Sequence, residues 1–218
     1  ALSSAASDVY KRQGDGSVDG VIYADLAIGG DGSWGKGYSY TVPKGGDFKR
    51  YKISKSGYTD DFGTKDVLTV ANTSGSDRFY VMALDDAEDY VHWYFYANVE
   101  DFNSATSTLY YTGKSNTEKM ISKWNNSEYG RQDDNDMWGL IQTHVRDGWF
   151  VPSKDMWAIV GGELNITEAN FASFNLSGQY WSSSLYSSVY AWIMSFGEEV
   201  LGQVRLDSTS CVRLITTF

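Results

Sequence analysis

Few side chains in this chain could carry catalysis. Among 218 residues there is one cysteine, Cys211, and there are two histidines, His92 and His144. A thiol nucleophile needs a neighbouring base, and nothing in the sequence marks either histidine as the partner of Cys211. No Ser-His-Asp arrangement, phosphate-binding glycine loop or zinc-ligand spacing is present. The sequence therefore predicts a protein that is not an enzyme and has no cofactor.

Two acidic runs offer the oxygen ligands that calcium prefers. Residues 85–89 are DDAED and residues 133–136 are DDND. Neither run has the ligand spacing of an EF-hand loop. Solvated turns or helix N-termini are the favoured interpretation, because carboxylates are stabilised at the positive end of a helix dipole. The sequence predicts no metal site, and a calcium-binding acidic loop stays open as the alternative.

The composition restricts the class of partner. The net charge is −10 and the isoelectric point is near 4.6, whereas binding to nucleic acid or to an anionic membrane requires clustered lysine and arginine. No apolar run approaches the ~18 residues that a membrane span needs. Aromatic residues make up 16% of the chain, and tyrosine and tryptophan supply rigid contacts in binding surfaces as well as in cores. We expect an unknown protein or cell-surface ligand, no nucleic acid and no membrane insertion.

Hydrophobic periodicity predicts an α+β fold in one domain. Residues 18–111 alternate apolar and polar side chains in short runs, as strands do, with turns at residues 44–46 and at Gly75. No linker separates this half from the rest, so residues 18–218 are expected to form a single domain. Residues 1–17 lack the apolar core of a signal peptide and are expected to be a disordered tail or a cloning remnant.

The middle of the chain has helical spacing. One helix is predicted to begin at Ser115 or Asn116, and a second is predicted over 135–147, ended by Gly148. Ser153 is expected to cap a third helix, since it precedes the apolar spacing of DMWAIV. A short helix is predicted over 167–174, and strands are predicted from there to the C-terminus.

The C-terminal half carries motifs that resemble a known family. GWFVPSKDMW, YWSSS, AWIMSF and the closing VRLITTF resemble the C-type lectin fold in its bacterial and phage branch. More narrowly, they resemble the variable proteins of diversity-generating retroelements, in which a reverse transcriptase rewrites adenines so that ligand-contacting residues vary. The formylglycine-generating enzyme has a similar scaffold, but its chemistry uses paired cysteines and this chain has Cys211 alone.

The resemblance implies a diversified binding surface within about residues 180–213. Rewritten AAC or AAT codons never encode Met, Trp, Lys, Gln or Glu, and all the candidate positions avoid these residues. The candidates are Leu185, Tyr186, Val189, Tyr190, Ile193, Ser195, Leu201, Gly202, Val204, Leu206, Ser208, Ser210 and Cys211. The resemblance implies display on a phage virion (tail) or a bacterial cell surface, with a homo-oligomer left open.

Burial decides between two interpretations of these strands. If the candidates form a diversified surface, they must be mostly exposed, while Trp181, Trp192, Met194, Phe196, Val212 and Leu214 are buried. The alternative is a fixed-sequence lectin-fold adhesin or structural surface domain, in which Val204 and Leu206 are core and Arg205 is exposed. An exposed apolar patch beside tyrosines would mark a binding site.

Overall fold

The computed structural model describes residues 9–11, 18–25, 52–53, 79–97, 106–108, 112–164, 166–198 and 200–217. These residues form an α+β fold with antiparallel strands toward the C-terminus, as the sequence predicted. The turns predicted at 44–46 and at Gly75 lie outside the described residues. The elements are β1 (Val9–Lys11), β2 (Val18–Asp25), β3 (Lys52–Ile53), β4 (Phe79–Ala83), β5 (Glu88–His92), β6 (Tyr96–Ala97), α1 (Gly113–Asn125), β7 (Gly130–Arg131), α2 (Met137–Leu140), α3 (Gln142–Arg146), α4 (Lys154–Glu163), a 3₁₀ helix (Phe171–Phe174), β8 (Gln179–Leu185), β9 (Tyr190–Ser195), β10 (Val200–Arg205), β11 (Thr209–Val212) and β12 (Ile215–Thr217).

The strands form a six-stranded sheet, a four-stranded sheet and a small pair. The six-stranded sheet has the order β3-β10-β9-β8-β11-β5, and the four-stranded sheet has the order β1-β2-β4-β12. The terminal strand β12 pairs with β4, which in turn pairs with β2. Strand β2 and the C-terminal strand β12 therefore share one sheet, with β4 between them.

The segment expected to be disordered contains an edge strand. Residues 9–11 form β1 and pair antiparallel with β2. β1 thus lies at the edge of the four-stranded sheet, and the expectation of a disordered tail or cloning remnant over residues 1–17 stays a prediction. The extent of the domain stays a prediction.

The six-stranded sheet is buried on both faces. On one face, Trp192 and Met194 of β9 belong to the α4-side cluster, which also contains Trp157 of α4 and Ile215 of β12. On the other face, Ile193 of β9 belongs to the α1-side cluster, with Met120 of α1, Trp138 of α2, and Trp93 and Trp181. Successive side chains of a strand point to opposite faces. Two apolar clusters therefore require apolar residues at consecutive positions of β8 and β9.

The helices begin and end close to the predicted positions. α1 begins at Gly113, slightly before the predicted cap. The helix predicted over 135–147 is divided at Ile141 into α2 and α3. Ser153 caps α4 as expected, since its Oγ accepts a hydrogen bond from the backbone N–H of Met156 at 3.4 Å. Within the described residues, no helix is long and apolar enough to cross a membrane.

The serines of YWSSS are fully buried and hold β8 to its neighbours. Ser183 Oγ donates to the carbonyl of Pro152 at 3.2 Å and accepts from the side-chain amide of Asn116 in α1. Ser184 Oγ donates to the carbonyl of Ser107 at 2.7 Å and accepts from the backbone N–H that begins α4. Since a buried polar group is costly unless it is hydrogen-bonded, these serines are structural and not part of a wet surface.

Candidate functional site

The predicted ligand-contacting residues divide into a buried group and an accessible group. The prediction that they are mostly exposed is wrong for the buried group, which consists of Leu185, Ile193, Ser195, Leu201, Leu206, Ser210 and Cys211. Tyr186, Tyr190, Gly202, Val204 and Ser208 are half-buried, and Val189 is exposed. The residues predicted to be scaffold core, Trp181, Trp192, Met194, Phe196, Val212 and Leu214, are all buried as expected.

The second apolar cluster explains the error. Side chains alternate between the two faces of a strand, so Ile193 faces away from Trp192 and Met194 and would meet solvent if only one face of β9 were covered. Ile193 is only 3% exposed and Leu206 only 4%, because the α1-side cluster covers that face. Leu201 and Cys211 belong to the α4-side cluster. Ser210 Oγ donates to the side-chain oxygen of Gln179 at 3.0 Å, which satisfies it inside the sheet.

One end of the six-stranded sheet keeps accessible side chains together. The backbone N–H of Leu206 donates to the carbonyl of Val189 at 3.0 Å. The carbonyl of Leu206 in turn accepts from the backbone N–H groups of Trp93 and Tyr94. Three segments therefore converge: the β8–β9 turn, the β10–β11 turn and the chain after β5. Their accessible side chains define the sheet-end surface, namely His92, Phe95, Val189, Tyr190, Arg205, Asp207 and Ser208.

An ion pair and a histidine supply the polar groups of the sheet-end surface. The guanidinium of Arg205 donates to both carboxylate oxygens of Asp207, at 2.9 and 2.8 Å. These hydrogen bonds hold the pKa of Asp207 below its usual value. The ring Nδ1 of His92 lies 3.2 Å from the carbonyl of Ser208. The arrangement offers ligand contacts, but within the described residues no nucleophile is paired with a base at this surface.

Aromatic rings contact one another in a series at the sheet-end surface. The rings of His92 and Phe95 lie 4.7 Å apart, and Phe95 meets Tyr96 edge-on at 4.7 Å. The guanidinium of Arg131 lies 3.9 Å from the centre of the Tyr96 ring. The sequence pattern did not single out these aromatic residues, because it assigns them only to the short strand-like runs of residues 18–111. The aromatic run without polar alternation was the available signal, since β5 in fact ends at His92.

Asp136 positions the loop that carries Phe95. One carboxylate oxygen accepts from the backbone N–H of Phe95 at 2.7 Å, and the other accepts from Trp124 Nε1 and from the backbone N–H of Asp133. Burial raises the pKa of Asp136, and these hydrogen bonds lower it part of the way back. The expectation of a helix N-terminus is confirmed for Asp136, which is the N-cap residue of α2. The expectation of a solvated position is wrong for Asp136, because this residue is fully buried.

Replacing Asp136 by alanine is expected to lower the free energy of unfolding by about 3 kcal/mol, because buried donors lose their acceptor. Urea denaturation monitored by tryptophan fluorescence measures this change. The control is Asp134→Ala, since Asp134 is exposed in the same acidic run and its loss should leave the midpoint nearly unchanged. Equal effects of the two variants would show that Asp136 does not hold this loop.

In the acidic run at 85–89, Asp86 forms an ion pair with the buried guanidinium of Arg213. Asp86 accepts from Arg213 Nε at 2.6 Å and from the hydroxyl of Tyr180 at 3.1 Å. Burial raises the pKa of Asp86, and the guanidinium of Arg213 opposes that rise. Within the described residues, ligand-type atoms of Asp86, Asp89 and Cys211 lie within 4.8 Å of one another. Since the Asp86 carboxylate is already the counterion of Arg213, this group supports no metal site.

Cys211 does not have the surroundings of a reactive thiol. It is a free, buried cysteine, and burial raises the pKa of its thiol. A nucleophilic cysteine requires the opposite shift and access to substrate. That the protein has no enzymatic activity remains a prediction.

Comparisons with known proteins give little further information. No protein-family model matches the chain, and no curated protein matches it. Among solved structures, a fimbrial protein from Bacteroides ovatus is similar to this chain, with a TM-score of 0.40 and 16% sequence identity. The similarity covers 65% of this chain and 36% of that chain, so this chain spans about a third of that protein's length. Such a likeness establishes neither the fold nor the function of this chain.

Proposed function

We propose that this protein is a ligand-binding adhesin-type domain of fixed sequence that recognises its ligand through the sheet-end surface. One observation carries the proposal. Among the described residues, the large apolar side chains that stay exposed are Tyr90, Phe95 and Val189, with exposed fractions of 68%, 39% and 44%. Phe95 and Val189 belong to segments joined through the backbone of Leu206. Exposed apolar side chains rimmed by polar groups are typical of interaction sites.

Three members of the predicted site lie in the sheet-end surface and are retained here. They are Val189, Tyr190 and Ser208. Diversification across the whole predicted set is not proposed, because random replacement at buried positions would cost ~2–5 kcal/mol each against a total stability of ~5–15 kcal/mol. The C-type lectin-like scaffold and display on a bacterial or phage surface stay proposals, supported by the sequence resemblance.

Selection from a phage-displayed random peptide library on the immobilised protein tests the proposed surface. We expect selected peptides to lose at least about tenfold in affinity when Phe95→Asp or Val189→Asp is introduced, because each change removes an apolar contact and buries an unpaired carboxylate in the interface. Both positions are exposed, so folding should be preserved.

The matched control is Thr143→Asp, which adds the same charge at an exposed position of α3 and should leave affinity unchanged. The proposal is overturned if the selected peptides bind the Phe95 and Val189 variants as tightly as the unmodified protein.

A further inference from the structure

The exposed ring of Tyr90 extends the sheet-end surface along β5. Val91 pairs with Ser210 and Glu88 pairs with Val212, so Asp89 and Tyr90 together lie opposite Cys211 in a β-bulge. Tyr90 has a φ of 55°, in the left-handed region that bulky residues rarely adopt. Its side chain is 68% exposed on the edge strand, two residues before His92, whose ring contacts Phe95. Tyr90, His92, Phe95 and Tyr96 are referred to below as the aromatic patch.

Carboxylates border the aromatic patch. Asp89 precedes Tyr90 and is exposed. The side-chain amide of Asn135 donates to the carbonyl of Tyr90 at 3.3 Å, which brings the exposed Asp134 to the same place. Arg205 is neutralised by the Asp207 carboxylate, whereas Arg131 keeps its positive charge over the Tyr96 ring. The Tyr90 end of the patch, beside Asp89 and the loop of Asp134, therefore presents negative charge next to an aromatic face.

We propose that the partner recognised here is a protein with an exposed, arginine- or lysine-containing segment, whose cationic side chains lie over the Tyr90 and Phe95 rings between Asp89 and Asp134. This inference rests on the proposed function and names the partner class of the same surface. The chain itself demonstrates the contact, since Arg131 already occupies the Tyr96 ring in this way. Cation–π contacts favour arginine over aromatic faces, and the net charge of −10 would steer a basic partner toward the protein.

The test compares a twelve-residue (Arg-Gly)₆ peptide with a (Gln-Gly)₆ peptide of equal length by calorimetry at 50 and 150 mM salt. We expect the arginine peptide to bind more tightly, with affinity falling as salt rises. Tyr90→Asn should weaken its binding about two- to fivefold, because asparagine tolerates the left-handed backbone but removes the ring. Tyr90→Phe should retain the affinity, since it keeps the aromatic face.

Variants that remove single charges distinguish binding at the aromatic patch from general electrostatic attraction to the acidic protein. Asp134→Asn should weaken binding of the arginine peptide, whereas Asp147→Asn, which removes an equally exposed charge at the end of α3, should not. Equal binding of the two peptides, or equal effects of the two charge variants, would overturn the inference. Library-selected peptides that map to Phe95 and Val189 without an excess of arginine and lysine would also overturn it, while leaving the proposed function in place.

Discussion

Replacing Ile193, Val204 and Leu206 together by serine is expected to abolish cooperative folding at room temperature. Ile193 and Leu206 are core members of the α1-side cluster, and Val204 packs against it. Each large-to-small change at the two core positions costs ~2–5 kcal/mol, and the new hydroxyls at positions 193 and 206 would be buried without a partner. The change at the half-buried Val204 adds a smaller loss. The combined loss approaches the ~5–15 kcal/mol that stabilises a typical domain. Near-ultraviolet circular dichroism and thermal unfolding measure the result.

A control at accessible positions distinguishes core from surface in the same strands. Val189 and Tyr190 replaced together by serine should shift the melting temperature only slightly, because exposed sites usually change stability by less than ~0.5 kcal/mol each. If the triple variant instead melts like the unmodified protein, the C-terminal strands tolerate random replacement. The broad diversified surface would then regain support over a fixed-sequence domain.

Removing the buried cation is the second change with a large expected effect. Arg213 is fully buried. It donates to Asp86 and to the carbonyls of Ala83, Leu84 and Asn175. Arg213→Met would leave the Asp86 carboxylate and those carbonyls without their donor. Breaking one side of a buried pair costs about 3–5 kcal/mol, and guanidinium denaturation measures the loss.

The surface ion pair provides the matched control. Arg205→Met removes the same type of side chain from an exposed pair with Asp207, and exposed pairs contribute little because water screens them. The denaturation midpoint of this variant should stay close to that of the unmodified protein. If Arg213→Met and Arg205→Met lower the free energy of unfolding by similar amounts, the buried Asp86–Arg213 pair contributes no more to stability than the exposed Arg205–Asp207 pair.

Local sequence patterns were sufficient to predict the fold class and the positions of several helices and strands. Ser153 before an apolar helical repeat predicted the start of α4, because a hydroxyl acceptor satisfies the first backbone donors of a helix. Trp192 and Met194 are two residues apart, so a strand places them on the same face, and both lie in the α4-side cluster. These features depend on neighbouring residues in the chain, so a sequence pattern determines them.

Burial on the second face of the sheet was decided only by tertiary structure. The alternation of side chains along a strand predicts which residues share a face of the sheet. It does not predict whether a helix or another segment covers that face. Ile193 alternates with Trp192 whether it meets solvent or the α1-side cluster, and only the placement of α1, α2 and Trp93 buries it. The sequence by itself determined the α+β class, the apolar core of β9 and the acidic charge. Long-range packing decided that Leu206 is core, that Asp136 is buried, and that Phe95 and Val189 are brought to one surface.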